Sequence, residues 1–270
     1  MNQLEKILYL NSILLEEMPA YQTEAEQFPR DKQSQRRLLR SLMNVRPALP
    51  LRRDYLSIQD DLLSAECAEK GIVDVETLPV IAADPRLVLW QGDITRLNAD
   101  AIVNAANSGL TGCYCPCHGC IDNAIHSAAG SQLRDECSRI MTQQGHEEPT
   151  GVAKITHGYN LPCKYVLHTV GPIIRGPLQT SDCALLASCY RSCLELAAQH
   201  ELRSIAFCCI STGEFHFPPE RAAEIAVQTV QDYLSTTQNE IKVIFNVFQE
   251  SDNAIYRCLL GPDRAAEAGT

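Results

Sequence analysis

Four cysteines and one histidine lie within eight residues of this chain, from Cys113 to Cys120. With Gly112 in front, the segment reads Gly-Cys-Tyr-Cys-Pro-Cys-His-Gly-Cys. Thiolate and imidazole groups are ligands that suit Zn²⁺ in proteins. Because no second cluster of cysteine and histidine closes the ligand shell, we expect the metal to keep a position open for water or substrate. The segment therefore predicts a catalytic zinc site.

The composition limits the partners that this chain can have. Its 270 residues carry a formal net charge of -10, and its pI is near 5.2. Binding to the phosphates of nucleic acid needs clustered lysine and arginine, so we expect no nucleic-acid partner. No apolar run approaches the roughly 20 residues of a membrane span, and the N-terminus lacks the apolar region of a signal peptide. We therefore expect a cytoplasmic protein with free thiols and no membrane contact.

Two regions of different character follow one another along the chain. Residues 1–75 contain three amphipathic patterns separated by prolines, at 4–18, 33–43 and 55–69, and predict a helical N-terminal extension. Residues 76–270 alternate β-branched runs with helical stretches, which predicts an α/β domain with a mostly parallel sheet. The predicted strands are 87–90, 101–103, 153–155, 165–170, 204–207 and 243–247, and the predicted helices are 122–144, 182–200, 219–233 and 252–260.

Three loops that follow predicted strands carry polar groups. Asp93 could accept a hydrogen bond from a purine amino group or a ribose, or could cap the next turn. Asn104 and Asn107 suit either sugar hydroxyls or a turn. The loop 210–218 leads into a helix, and its backbone N–H groups would form a nest for a diphosphate. In sheets of this kind ligands bind at the carboxyl ends of the strands, where these loops lie.

The segments around these loops resemble the macrodomain family, whose members are α/β/α modules that bind ADP-ribose. The resemblance covers roughly residues 86 to 260 and implies a three-layer α/β/α sandwich with a mixed, mostly parallel central sheet. The matching segments are Gly-Asp-Ile-Thr at 92–95, Asp-Ala-Ile-Val-Asn-Ala-Ala-Asn at 100–107, Ile-Asp-Asn-Ala-Ile-His-Ser-Ala-Ala-Gly at 121–130, and the stretches 149–159, 161–172 and 210–218.

The cysteine-rich segment departs from the glycine-rich loop of common macrodomains and is similar to the zinc-dependent macrodomain hydrolases of microbes. Their pattern is Gly-Cys, four residues, His, one residue, Cys, followed by Ile-Asp-Asn, and they also have a helical N-terminal extension. The resemblance implies that Cys113, His118 and Cys120 bind the metal. Cys115 and Cys117 lie outside the pattern. Either could replace a ligand or add a fourth, which would make the metal structural, and an incidental or redox cluster is a further alternative.

The same resemblance implies a hydrolase that removes single ADP-ribose units from protein side chains at the distal ribose. Asp122 would orient water or take a proton, although its position also suits a helix N-terminus. We expect His126 and His168 to be hydrogen-bonded core residues or groups that support the ligands, and not metal ligands. The implied contacts are Asp93 and Ile94 at the adenine end, the backbone of Ser211, Thr212, Gly213 and Glu214 at the diphosphate, and Asn107, Phe215 and Phe217 at the distal ribose.

Two other functions use the same predicted site. One is a reader module that binds ADP-ribose without hydrolysing it, and the other is an esterase acting on a free acylated ADP-ribose. The Cys/His segment, placed where the distal ribose is expected, argues against the reader. For the hydrolase, the resemblance suggests a mono-ADP-ribosylated protein as partner, such as a lipoyl-carrier protein modified by a sirtuin-like transferase.

Overall fold

The computed structural model describes residues 1–237 and 240–262, so positions 263–270 of the predicted domain 76–270 lie outside the described residues. Within the described residues the helices are α1 Gln3–Glu17, α2 Gln22–Ala25, α3 Lys32–Val45, α4 Arg53–Lys70, α5 Ile121–Ala129, α6 Ser131–Gln144, α7 Thr180–Gln199, α8 Pro219–Thr236 and α9 Glu250–Leu260. The strands are β1 Val73–Asp74, β2 Leu87–Gln91, β3 Leu97–Asn98, β4 Ala101–Ala105, β5 Ala153–His157, β6 Tyr165–Thr169, β7 Ser204–Phe207 and β8 Lys242–Val247.

A six-stranded sheet forms the centre of the C-terminal region, in the order β2-β8-β7-β4-β6-β5. All neighbouring pairs are parallel except β5 and β6, which are antiparallel. The central strands β4, β7 and β8 are almost wholly buried because helices pack against the sheet. The predicted α/β fold with a mixed, mostly parallel sheet is confirmed. The short parallel pair of β1 and β3 was not predicted.

The predicted helices of the N-terminal extension are present as α1, α3 and α4, with the short α2 in addition. Asn2 and Glu5 form a capping box at the start of α1, and the Asp31 side chain accepts from Ser34 N at the start of α3. The apolar faces of these helices form a hydrophobic cluster of their own, made of residues between 7 and 63. A second cluster, made of residues between 75 and 260, lies around the sheet. The domain boundary near residue 75 stays a prediction.

Polar side chains of α4 join the extension to the start of α6. Gln59 is fully buried, and its side-chain oxygen accepts a hydrogen bond from Ser131 N at 2.9 Å. The Tyr55 hydroxyl lies 3.1 Å from the Ser131 hydroxyl, and Asp60 accepts from Gln132 at 2.6 Å. These bonds satisfy backbone and side-chain groups at the first turn of α6, whose N–H groups have no partner within the helix.

The prediction of one helix over residues 122–144 is wrong, because the chain breaks at Gly130 between α5 and α6. Gly130 has a φ of +98° and a ψ of 176°, a backbone conformation that essentially only glycine adopts. A Cβ atom here would come within 2.7 Å of Gln59 Nε2 and 2.8 Å of Gln132 Oε1. The break lets α4 approach the start of α6 closely.

No helix among residues 1–237 and 240–262 has both the length and the apolar character that crossing a lipid bilayer requires. The cytoplasmic location and the absence of membrane and nucleic-acid partners stay predictions.

We expect Gly130→Ala to lower the free energy of unfolding by about 3 kcal/mol, because backbone strain and a steric clash add together. Gly145→Ala is a matched control. Gly145 also has a positive φ, of +76°, but a Cβ there would meet nothing within 4 Å, so we expect a loss of only about 1 kcal/mol. Urea unfolding of both variants measures the difference, and equal losses would contradict this account of the helix break.

Candidate active site

The predicted loops meet at one edge of the sheet. The parallel strands β2, β4, β7 and β8 all end there, and the loops after them carry Asp93, Asn107, the segment 208–217 and Phe248. A direct contact across this edge joins two of the loops, since His118 Nε2 lies 3.4 Å from Glu214 Oε1. The carboxyl edge of the sheet is therefore where the predicted site residues are brought together.

The three predicted metal ligands converge. The ligand atoms of Cys113, His118 and Cys120 all lie within 4.8 Å of one another, and Cys113 Sγ is 3.6 Å from His118 Nδ1. The second ring nitrogen of His118 faces the Glu214 carboxylate. Histidines that bind metals commonly place the non-ligating nitrogen against such a carboxylate. Two thiols and one imidazole form a donor set that suits zinc.

Cys120 is both a predicted ligand and the N-cap of α5, where its sulfur accepts a hydrogen bond from Asn123 N at 3.4 Å. Burial is the main cause that raises the pKa of the Cys120 thiol to about 12, and the neighbouring Cys113 and Asp122 contribute to the rise, although the hydrogen bond from Asn123 N opposes it. A bound cation favours the thiolate form, so metal binding would release the protons of these thiols. The crowded thiols fit a site that is completed by a cation.

Cys115 and Cys117 are outside this group of converging atoms. Cys117 Sγ points to α3, 3.3 Å from Ser41 Oγ and 3.6 Å from Arg37 O. Cys115 is exposed to solvent. This arrangement favours three protein ligands over a closed shell of four.

Asp122 is buried and held by two asparagine amides. Asn104 Nδ2 donates to Asp122 Oδ1 at 2.8 Å, and Asn107 Nδ2 donates to Asp122 Oδ2 at 3.2 Å. Burial is the main cause that raises the pKa of Asp122 to about 6, although Asn104 and Arg134 oppose the shift. Asn107 also accepts from Gly109 N at 3.0 Å, so it forms the turn as well. Both amides therefore orient the carboxylate on the first turn of α5.

A second group of converging atoms consists of His126, Cys137 and His168, all buried. Both nitrogens of His168 already have partners, because Nε2 lies 2.9 Å from Thr156 Oγ1 and Nδ1 lies 3.1 Å from Asn104 Nδ2. His168 is thus a hydrogen-bonded core residue, and burial lowers its pKa to about 4. His126 is likewise a buried residue, and it lies beside Asp122. Its nitrogens are buried without a hydrogen bond, although Nε2 lies 3.5 Å from Asp122 Oδ1.

The loop 211–217 has backbone N–H groups that are free to bind an anion. Ser211 and His216 have φ values of +67° and +57°, and Phe217 N donates to Ser211 O at 2.9 Å, which closes the loop. Within residues 1–237 and 240–262, the backbone N–H groups of residues 212–215 have no hydrogen-bond acceptor. Successive unpaired N–H groups in such a loop attract anions.

Two of the remaining predicted residues have positions that differ from the expectation, and Asp93 takes the second of the two roles expected for it. Asp93 caps the turn after β2, since its Oδ1 accepts from Thr95 N at 3.0 Å, while Oδ2 lies 3.6 Å from Lys70 Nζ. Ile94 and Phe217 are each 1% exposed and pack in the core. Their side chains do not fit the predicted contacts with ADP-ribose, whereas the half-buried Phe215 remains accessible.

Residues that the sequence did not single out also lie at this edge. Phe248 follows β8 directly and is 74% exposed, and an aromatic side chain after a buried strand was the available signal. A cavity of about 180 Å³ lies between the extension and α5, and it is lined by Arg36, Arg40, Lys70, Asp93 and Thr95 among others. No local pattern marked the lysine and arginines, because they come from helices far from the loops in sequence.

Comparison with known proteins agrees with this arrangement. The family model for the Macro domain matches residues 103–226. A protein-ADP-ribose hydrolase of Treponema medium is 53% identical over 262 residues, which cover 96% of this chain and 100% of the relative. The chain belongs to the Macro domain family. A protein-ADP-ribose hydrolase of Staphylococcus aureus strain MSSA476 is also 53% identical, over 82% of each chain. This macrodomain chain is an enzyme of the hydrolase class.

Solved macrodomain structures support the fold. The Trypanosoma brucei macrodomain in complex with ADP-ribose is 33% identical, with a TM-score of 0.65, over 82% of this chain and 95% of that chain. The Oceanobacillus iheyensis macrodomain with ADP is 41% identical, with a TM-score of 0.57, over 63% of this chain and 87% of that chain. Nucleotide-bearing relatives therefore share the fold of this macrodomain.

We expect Asn104→Leu to lower the free energy of unfolding of this macrodomain by about 1 to 3 kcal/mol. The change leaves His168 Nδ1 and one oxygen of Asp122 buried without the amide that now joins them. Asn98→Leu, on an exposed residue of β3, serves as the matched control and should change stability by less than about 0.5 kcal/mol. Urea denaturation checks both values, and an Asn104→Leu protein as stable as the control would count against the buried network.

Proposed function

We propose that this macrodomain is a zinc-dependent hydrolase that removes single ADP-ribose units from modified proteins by cleaving the bond at the distal ribose. The observation that carries the proposal is the convergence of Cys113, His118 and Cys120 at the carboxyl edge of the sheet. The carboxylate of Glu214 lies beside His118, and Glu214 belongs to the loop whose free N–H groups suit a diphosphate. The metal would thus lie beside the bound nucleotide. The names of the curated relatives support protein-bound ADP-ribose as the substrate.

The proposed nucleotide contacts run along the edge of the sheet. Phe248 offers an exposed ring on which adenine can stack, and Asp93 keeps one carboxylate oxygen toward Lys70 and the neighbouring cavity. The N–H groups of 212–215 bind the diphosphate. Phe215 and Asn107 border the place of the distal ribose, and Asn107 holds Asp122 at the same time.

Asp122 is the proposed general base. Its buried carboxylate accepts from Asn104 and Asn107, which orients it without neutralising it. In this position it can hold a water molecule or take a proton from it. Cys113, His118 and Cys120 would bind Zn²⁺, which when bound supplies a Lewis acid that polarises the scissile linkage or lowers the pKa of water.

The modified protein is the remaining element of the proposal. A lipoyl-carrier protein that a sirtuin-like transferase has modified is the substrate to be tested first. The proposed location of the reaction is the cytoplasm.

The activity test uses the purified full chain and a protein that carries a single labelled ADP-ribose. We expect the label to leave the protein as free ADP-ribose, and a zinc chelator to slow this release by at least about 100-fold because the Lewis acid is removed. Adding zinc back should restore the rate. Asp122→Asn, which keeps the shape but loses the charge, should slow release by roughly 100-fold or more.

The outcomes of this test separate the competing functions. If the labelled protein is bound but never cleaved, the chain is a reader module and the hydrolase proposal is wrong. Cleavage confined to free acylated ADP-ribose would identify an esterase. Release that is unchanged by the chelator would remove zinc from the mechanism and leave the hydrolase in place.

The ligand assignment has its own test. We expect Cys113→Ala, His118→Ala and Cys120→Ala each to abolish binding of one zinc ion per chain, since each removes one of only three protein ligands. Cys115→Ala and Cys117→Ala are matched controls within the same segment and should keep the stoichiometry. Metal analysis after dialysis gives the readout, and loss of zinc in the two controls alone would overturn the assignment.

A further inference from the structure

The metal-binding segment has no regular secondary structure of its own. Residues 111–120 form turns and bends, and Gly112 and Cys117 have φ values of +83° and +51°. Non-glycine residues rarely adopt a positive φ unless surrounding contacts hold them there. The structure must therefore supply those contacts from outside the segment.

Helix α3 of the N-terminal extension supplies contacts at the centre of the segment. Asn44, which is 1% exposed, accepts a hydrogen bond from Cys117 N at 2.9 Å. Ser41 Oγ lies 3.3 Å from Cys117 Sγ. These contacts hold the residue with the positive φ and direct its thiol toward α3 and away from the three ligand atoms.

The same helix is also connected to two of the three candidate ligands. The Arg40 guanidinium donates to His118 O at 3.2 Å and to Asn123 Oδ1 at 2.7 Å. Asn123 in turn donates from its side chain to Cys115 O at 3.0 Å, and its backbone N–H donates to Cys120 Sγ. Arg40 is thus connected to His118 directly and to Cys120 through a single fully buried asparagine.

A buried arginine fixes α3 against the start of the segment. Arg134 of α6 donates to Met43 O, Asn44 O and Arg46 O at 2.6 to 2.8 Å, which satisfies carbonyls at the end of α3. Its Nε donates to Thr111 O at 2.6 Å. The position of α3 and the position of the segment are therefore set by one side chain.

We propose that α3 is an integral part of the metal site, with Arg40 and Asn44 as positioning residues that hold segment 111–120 so that Cys113, His118 and Cys120 converge. This inference rests on the proposed zinc site and goes beyond it, because it assigns a role in metal affinity to the N-terminal extension. Neither residue touches the metal or the substrate. They act by preorganisation, since a segment already held in its binding conformation loses less entropy when it closes around an ion.

The test compares zinc affinity in Arg40→Ala, Asn44→Ala and the double variant with that of the unchanged full chain. Competition with a chromophoric chelator measures the affinity. We expect each single change to weaken zinc binding about 10- to 100-fold, the range found when groups that orient metal ligands are removed. Replacing zinc with Co²⁺ should also give altered thiolate and d–d absorption bands, because the ligands no longer hold one geometry.

Matched controls separate positioning from general damage. Arg37→Ala removes an exposed arginine from the same helix, one turn before Ser41. Asn11→Ala removes a buried asparagine of the extension whose amide donates to Gln35 O at 3.1 Å and that has no hydrogen bond to the segment among the described residues. Both controls should keep the zinc affinity and the Co²⁺ spectrum of the unchanged chain. Arg40→Lys keeps the charge but not the forked donor, and we expect it to recover only part of the affinity.

Each result has a distinct consequence. If the unchanged chain binds zinc and Arg40→Ala and Asn44→Ala bind it equally well, the inference about α3 is overturned while the proposed function stands. If the unchanged chain binds no zinc, both the zinc-dependent function and the inference fail. If a variant loses zinc affinity and also unfolds at a lower urea concentration than Asn11→Ala, amide hydrogen exchange of residues 111–120 decides. Faster exchange in that segment alone supports positioning, and faster exchange throughout contradicts it.

Discussion

The buried guanidinium of Arg134 is the interaction on which the arrangement of this site depends. It is 5% exposed, and its burial is tolerated because four backbone carbonyls accept its N–H groups and the Tyr114 ring lies 4.3 Å from it. An unpaired charge at this depth would cost several kcal/mol. Three of these carbonyls lie at the C-terminal end of α3, and the fourth is that of Thr111, at the start of segment 111–120. Because one guanidinium donates to all four carbonyls, the extension and the candidate metal site lie side by side.

The parallel sheet supplies the other half of the constraint. Its strands end at one edge, which brings together loops that are far apart in the chain. The buried network of His168, Asn104, Asp122 and Asn107 runs from the core to that edge and fixes the carboxylate from behind. A carboxylate held by two amides keeps its orientation. The rigid core and the irregular loops are thus coupled through hydrogen bonds at Asp122.

Much of this arrangement could be predicted from sequence, because apolar periodicity directly reflects burial. All six long strands and the main helices follow from it, and a resemblance in spacing indicated the three side chains at 113, 118 and 120 that converge. Gly130 was missed as a helix break because helical periodicity continues across it, and only its φ of +98° shows why glycine stands there. Ile94 and Phe217 were assigned to the ligand because they lie in matching motifs, yet a motif does not tell which side chains point inward.

Contacts between distant segments were beyond the reach of sequence patterns. Arg40 of α3 makes contacts with His118 and Asn123, about 80 positions later. Of the thiols, Cys113 and Cys120 belong to the converging group, while Cys117 is drawn to α3. This division cannot follow from spacing within a cysteine-rich segment, since every second or third residue there has a sulfur. A neighbouring surface must determine which sulfur atoms point toward the candidate metal site. In this macrodomain the N-terminal extension provides that surface, because α3 contacts Cys117 Sγ.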